Sequence, residues 1–118
     1  MSCSIVDAAV VPAGHGPHPA AGPYDKRLGE YLGLTAFEAY QVELPAHAET
    51  VEHDHLDDDT EDMYAVLRGG WLVVDGQEVP VRPGQFLAVS QPSRRLMRAG
   101  ADDMDFIAVC ASAARTGS

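Results

Sequence analysis

Apolar and polar residues begin to alternate at Ala36, where the run Ala36-Phe37-Glu38-Ala39-Tyr40-Gln41-Val42-Glu43-Leu44 sets Tyr40, Val42 and Leu44 on one side. A period of two is that of a strand with one buried face, and Pro45 ends it. Met63-Tyr64-Ala65-Val66-Leu67 is a nearly continuous apolar run closed by Gly69-Gly70, too short for a typical helix, which predicts a strand covered on both faces. Trp71-Leu72-Val73-Val74 follows at once. Asp75-Gly76, between that strand and Glu78-Val79-Pro80-Val81, is a hairpin signal, because both residue types tolerate the positive φ of a tight primed turn. Pro83-Gly84 predicts a second turn before Gln85-Phe86-Leu87-Ala88-Val89. Pro92 breaks that strand, Arg94-Arg95-Leu96-Met97 resumes, residues 100–103 are polar, and Phe106-Ile107-Ala108-Val109-Cys110 makes a last apolar strand. No segment after Ala36 keeps a helical period, and short strands punctuated by frequent turns predict an all-β sandwich or closed barrel. Tyr40, Met63, Tyr64, Trp71, Phe86 and Met97 are expected mostly in the core or lining the barrel.

Ahead of this pattern, residues 14–22 are almost wholly Gly, Pro, Ala and His and read as an arm or loop, with His15 and His18 as solvated histidines. Residues 24–32 have room for a turn or two of helix. The division is an irregular N-terminal arm over 1–34, a β-barrel over 35–111 and a flexible tail over 112–118. The 118 residues suffice for one domain. Eighteen acidic against eight basic side chains give a formal charge of −10, which repels phosphate backbones and anionic lipid, so neither nucleic acid nor membrane is an expected partner. The opening segment has no basic leader pattern, and no apolar stretch approaches a bilayer span. Two distant cysteines, Cys3 and Cys110, read as free thiols in a reducing, cytoplasmic compartment, with Cys110 buried and inert.

Potential ligands concentrate between Glu52 and Asp62, where seven carboxylates accompany His53 and His55. On an extended strand, residues two apart share a face, so the two imidazoles can converge on one point. Imidazole with carboxylate suits Zn, Fe, Mn, Ni or Cu, and an acidic side chain of the next strand would complete a facial set. The alternative is a solvated acidic hairpin whose histidines balance local charge. His47 reads as a loop histidine. No nucleophile elbow, phosphate loop or dinucleotide fingerprint is present in the sequence, which removes nucleophilic hydrolases and nucleotide-dependent enzymes.

The order His53-Asp54-His55, an acidic loop, Glu61 to Gly69, Trp71 to Gly76, Val79 to Val81 and Arg82-Pro83-Gly84-Gln85-Phe86 resembles the cupin superfamily of small double-stranded β-helix, or jelly-roll, barrels, over about residues 35 to 111. In that family two histidines one residue apart precede an acidic ligand seven residues before a glycine. Counting back from Gly69 nominates Asp62 beside His53 and His55, with Glu61 second, because a one-residue slip or bulge would turn it inward instead. The loop carrying Asp57-Asp58-Asp59 is longer than is usual there. The family's second motif maps onto Gly84, Ser90-Gln91-Pro92 and Arg94-Arg95, with Arg95 standing where a fourth, histidine ligand is expected. A guanidinium has no lone pair for a metal, but its planar fork suits a carboxylate, enolate or phosphate. Arg95 is therefore a candidate anion-binding residue, against the alternative that the arginines lie on the surface; strand parity does not choose between Arg94 and Arg95 after the Pro92 bend. Tyr64 shares strand parity with Asp62 and is the aromatic residue best placed to present a hydroxyl to a ligand.

The resemblance implies a small single-domain cupin that binds a divalent transition metal and a small organic, anionic molecule, with a metal-dependent enzyme such as an oxygenase or isomerase as one form of it. A metal-free small-molecule binding module without catalysis is the alternative, and an assembly role of the outer sheet is a third reading. Strand edges that need cover, together with the unpatterned first residues, predict a homodimer.

Overall fold

The computed structural model describes residues 2–14 and 22–112. The alternating run ahead of Pro45 forms β2 (Glu38–Leu44), with Tyr40, Val42 and Leu44 buried as the period of two requires. It lies in a five-stranded sheet of order β1 (Asp25–Arg27), β2, β8 (Met104–Ser112), β3 (Thr60–Arg68), β6 (Phe86–Ala88), each pair antiparallel. A second antiparallel sheet has the order β5 (Gln77–Val81), β4 (Gly70–Val74), β7 (Arg95–Arg98). From β3 onward the chain passes back and forth between the two sheets, and their inner faces enclose one core in which Leu44, Val66, Met104 and Phe106 of the larger sheet meet Leu72 and Met97 of the smaller. A single helical turn, α1 (Gly29–Leu32), fits the short helix expected there.

Local chemistry accounts for the joints. Asp75 and Gly76 take φ of 49° and 81°, the two left-handed residues of a primed hairpin turn between β4 and β5. The Asp75 carboxylate also accepts the Arg94 amide at 2.8 Å, tying the hairpin to the start of β7. Gly70 is needed for space: a Cβ there would sit 2.7 Å from the Arg98 carbonyl oxygen and 2.5 Å from Met104 Sδ.

Several expectations are corrected. β3 is not covered on both faces: Tyr64 and Val66 are buried, whereas Met63 and Leu67 are 41% and 46% exposed. Its outer side carries apolar residues that imitate a fully buried run. Trp71 and Phe86 likewise point outward. Within the irregular arm, Asp25–Arg27 pairs with β2 as an edge strand, held by backbone hydrogen bonds that a polar three-residue stretch does not advertise. His15, His18 and residues 113–118 lie outside the described residues.

Residues 49–55 run extended beside β7. Glu49 bridges Arg98 and His53 bridges Arg95, so four steps back along β7's neighbour toward Glu49 match only three along β7. Thr50 faces Met97, exchanging an N–H···O bond of 2.9 Å, His53 and Arg95 exchange two of 3.0 and 2.9 Å, and Val51 with Glu52 oppose Leu96 alone. This is a β-bulge, and it reverses which residues of the segment face inward.

Candidate functional site

Beyond the bulge, His53 and His55 both turn toward the barrel interior, their rings edge to face with centroids 5.0 Å apart. Asp62 and Tyr64 reach the same place from β3, and Arg95 from β7. Asp62 is buried and its neighbour Glu61 is exposed, so the parity of β3 selects Asp62. Arg95 is buried at 1% exposure, whereas the Arg94 side chain is exposed and pairs with Glu52 at 3.1 Å. The surface alternative for Arg95 is thereby overturned. His47 sits in an exposed turn with φ of 64°.

One carboxylate oxygen organises the cluster. Asp62 Oδ2 lies 2.8 Å from His55 Nε2, 3.0 Å from the Tyr64 hydroxyl, which donates to it, 3.1 Å from Arg95 Nη1 and 3.9 Å from His53 Nε2. Burial pushes the Asp62 carboxyl up, but the imidazoles of His53 and His55 and the Tyr64 hydroxyl outweigh it and hold the group at about 2, so it is a carboxylate at neutral pH. Burial and the Asp62 charge push the Tyr64 hydroxyl up, which keeps it a donor. Arg95 is further fixed by Nε donating to Ser93 O at 3.0 Å and Nη2 donating to Ser90 O at 2.6 Å. A guanidinium carries five N–H groups, so one on each terminal nitrogen remains for another acceptor.

Ligand atoms of His53, His55 and Asp62 lie within 4.8 Å of one another. Bonds of about 2.0 to 2.2 Å to one ion put neighbouring ligand atoms roughly 3 to 3.5 Å apart, so the three side chains fit a divalent metal with small adjustments. Each imidazole also has an acceptor at Nδ1: Val51 O at 3.2 Å for His53 and the Asp58 carboxylate at 3.0 and 3.1 Å for His55. Such partners orient metal-binding histidines with Nε2 presented to the ion. Zn, Fe, Mn, Ni and Cu all accept two imidazoles and a carboxylate.

His53, Asp62, Tyr64 and Arg95 form one wall of a cleft whose other walls are chiefly apolar, including Tyr40, Val42, Met97 and Phe106. Its volume is about 450 Å³ with the open mouth. Cys110 is half-buried in the cleft wall, not fully buried, and burial together with the Asp62 and Glu38 charges pushes its thiol up to about 11. Thr50, Cys110 and Asp58 were not legible as site residues: the first two carry no motif, and Asp58 is one of three consecutive aspartates on a loop.

The two-sheet barrel and the placement of this cluster define a double-stranded β-helix protein. No family model and no curated protein matches the sequence. Solved structures do. A cupin protein from Bacteroides fragilis is 25% identical, with 83% of this chain and 81% of that chain covered and a TM-score of 0.69. A cupin-superfamily sugar phosphate isomerase from Silicibacter pomeroyi is 20% identical over 91% of this chain and 74% of that one, with a TM-score of 0.72. A cupin 2 conserved barrel domain protein from Salinispora arenicola is 18% identical over 97% and 91%, with a TM-score of 0.65. The chain has the cupin fold.

Proposed function

We propose that this cupin-fold protein holds one divalent transition metal on His53, His55 and Asp62 and binds a small organic anion in the adjoining cleft. The observation that carries the reading is the convergence of two imidazoles, each oriented at Nδ1, on one buried carboxylate at the wall of an apolar cleft. A bound metal would supply Lewis-acid polarisation of a ligand oxygen. Arg95 offers its two remaining N–H groups to a carboxylate or phosphate, and its charge is offset by Asp62 at 3.1 Å, which lies between guanidinium and imidazoles. Tyr64 holds a proton beside the same carboxylate. Sugar phosphates are the first ligand series to examine, because one similar barrel is a sugar phosphate isomerase.

Elemental analysis and Zn(II) titration of untagged protein test the metal. The parent binds one equivalent and the His53→Ala/His55→Ala variant loses it. Equal metal in parent and variant overturns the assignment. The second reading, a metal-free binding module, is favoured by the three hydrogen-bonding groups already gathered on Asp62 Oδ2. It is the outcome if the parent takes up no metal yet still binds carboxylate or phosphate ligands through Arg95.

The reading includes a cytoplasmic homodimer. Both cysteines are free thiols, no described helix is long and apolar enough to cross a membrane, and Met63, Leu67 and Phe86 give the larger sheet an exposed apolar face.

A further inference from the structure

The loop between the histidines and β3 carries Asp57, Asp58 and Asp59, all exposed, and only the middle carboxylate turns back toward the cluster. Both of its oxygens lie against His55 Nδ1, at 3.0 and 3.1 Å, and Oδ1 also accepts the Thr60 amide at 3.1 Å. Thr60 opens β3, two residues before Asp62. Asp58 therefore clamps one imidazole to the start of the strand that carries the carboxylate opposite it. An ionised carboxylate only accepts, so His55 Nδ1 donates its N–H to Asp58, and at Nε2, 2.8 Å from the Asp62 carboxylate, a metal would take the place of a proton.

We propose that Asp58 is a positioning residue for the metal centre: it fixes the rotation of the His55 ring and the proton on Nδ1, so that Nε2 is the ligating atom. The inference rests on the metal reading and goes beyond it, because it assigns a task to a loop that supplies no ligand of its own. It also separates two properties of that loop. If the loop acted by charge alone, drawing cations to the barrel mouth, each of its aspartates would count equally. In a positioning role, Asp58 counts and Asp57, one residue away on the same exposed turn, does not.

The test compares the parent with Asp58→Ala and Asp57→Ala, using Zn(II) affinity by chelator competition and the ¹⁵N signals of the His55 ring in metal-free protein. The expected result is a loss of about ten- to a hundredfold in affinity for Asp58→Ala, as for other carboxylates behind metal-binding histidines, and less than about a twofold change for Asp57→Ala. The Nδ1 signal of His55 shifts in Asp58→Ala and stays in Asp57→Ala. Equal losses in the two variants, or Asp58→Ala binding as tightly as the parent, overturn the proposal. Should the parent bind no Zn(II), the metal reading fails, and the metal-free spectrum decides the positioning role by itself: an Nδ1 signal that moves only in Asp58→Ala upholds it, and one that stays in place overturns it.

Discussion

Asp62 Oδ2 is a single atom with Tyr64, His55 and Arg95 within hydrogen-bonding reach, and Arg95 is almost fully buried. Replacing the carboxylate with an amide leaves that buried guanidinium without its counter-charge. Asp62→Asn is expected to cost about 3 to 5 kcal/mol in urea unfolding with chelator present. The same carboxylate, held low by His53, His55 and Tyr64, sets a pH window. The Asp62 carboxyl titrates at about 2 in the folded protein and near 3.9 unfolded, so its stabilisation is present above about pH 4 and is lost as pH falls toward 2. Stability of the parent therefore drops over that interval more steeply than that of Asp62→Asn, and parallel curves would contradict it. At this scale the sequence was informative about residue types and less so about direction. His53, His55 and Asp62 follow from spacing and resemblance, but a period of two needs a fixed origin, and only pairing with β8 decides between Asp62 and Glu61. The choice between Arg94 and Arg95 waited on the turn after Pro92 for the same reason, and Asp58 on a loop conformation that no periodicity encodes.

Among the elements, β4 is closely hemmed in by its neighbours, because Gly70 lets it pass against the Arg98 carbonyl and Met104. Gly70→Ala is expected to destabilise the fold by about 1 to 3 kcal/mol, read as a lowered Tm, since a carbonyl fixed in the sheet cannot move aside as a side chain can. An unchanged Tm would mean that the two sheets slide more freely than their packing implies. Strands with one apolar face and a firm terminator, such as β2 before Pro45, were legible in face and in end, though β2 starts at Glu38 and not at Ala36. The Asp75-Gly76 hairpin was too, because a primed turn demands residues that tolerate positive φ. β1 was not, since Asp25-Lys26-Arg27 has no apolar residue and is strand only because β2 offers an edge. β3 misled in the other direction, its outward Met63 and Leu67 being as apolar as its core positions.

For the whole molecule, that outward surface bears on assembly. Met63, Leu67 and the 69% exposed Phe86 lie on adjacent strands of one sheet. Light scattering is expected to give twice the chain mass for the parent and the chain mass for Phe86→Asp. Each copy carries a formal charge of −10, so the dimer fraction should rise with ionic strength. A parent that stays monomeric at every concentration and salt removes the homodimer. The barrel as a class was legible because alternation and turn spacing repeat along the chain, whereas the bulge beside β7 was not, because a single unpaired residue leaves the composition of its segment unchanged. Thr50 and Met97 on one side of the bulge belong to the packed interior, and the imidazoles on the other side keep their inward aim through the two-against-one match of Val51 and Glu52 with Leu96. Loss of either exposed residue, Val51 or Glu52, would leave one residue against Leu96, with Thr50 still facing Met97 and His53 still facing Arg95, so plain alternation would keep both imidazoles inside. The extra residue is thus absorbed as a local bend, and the site and the packed interior keep a common face on either side of it.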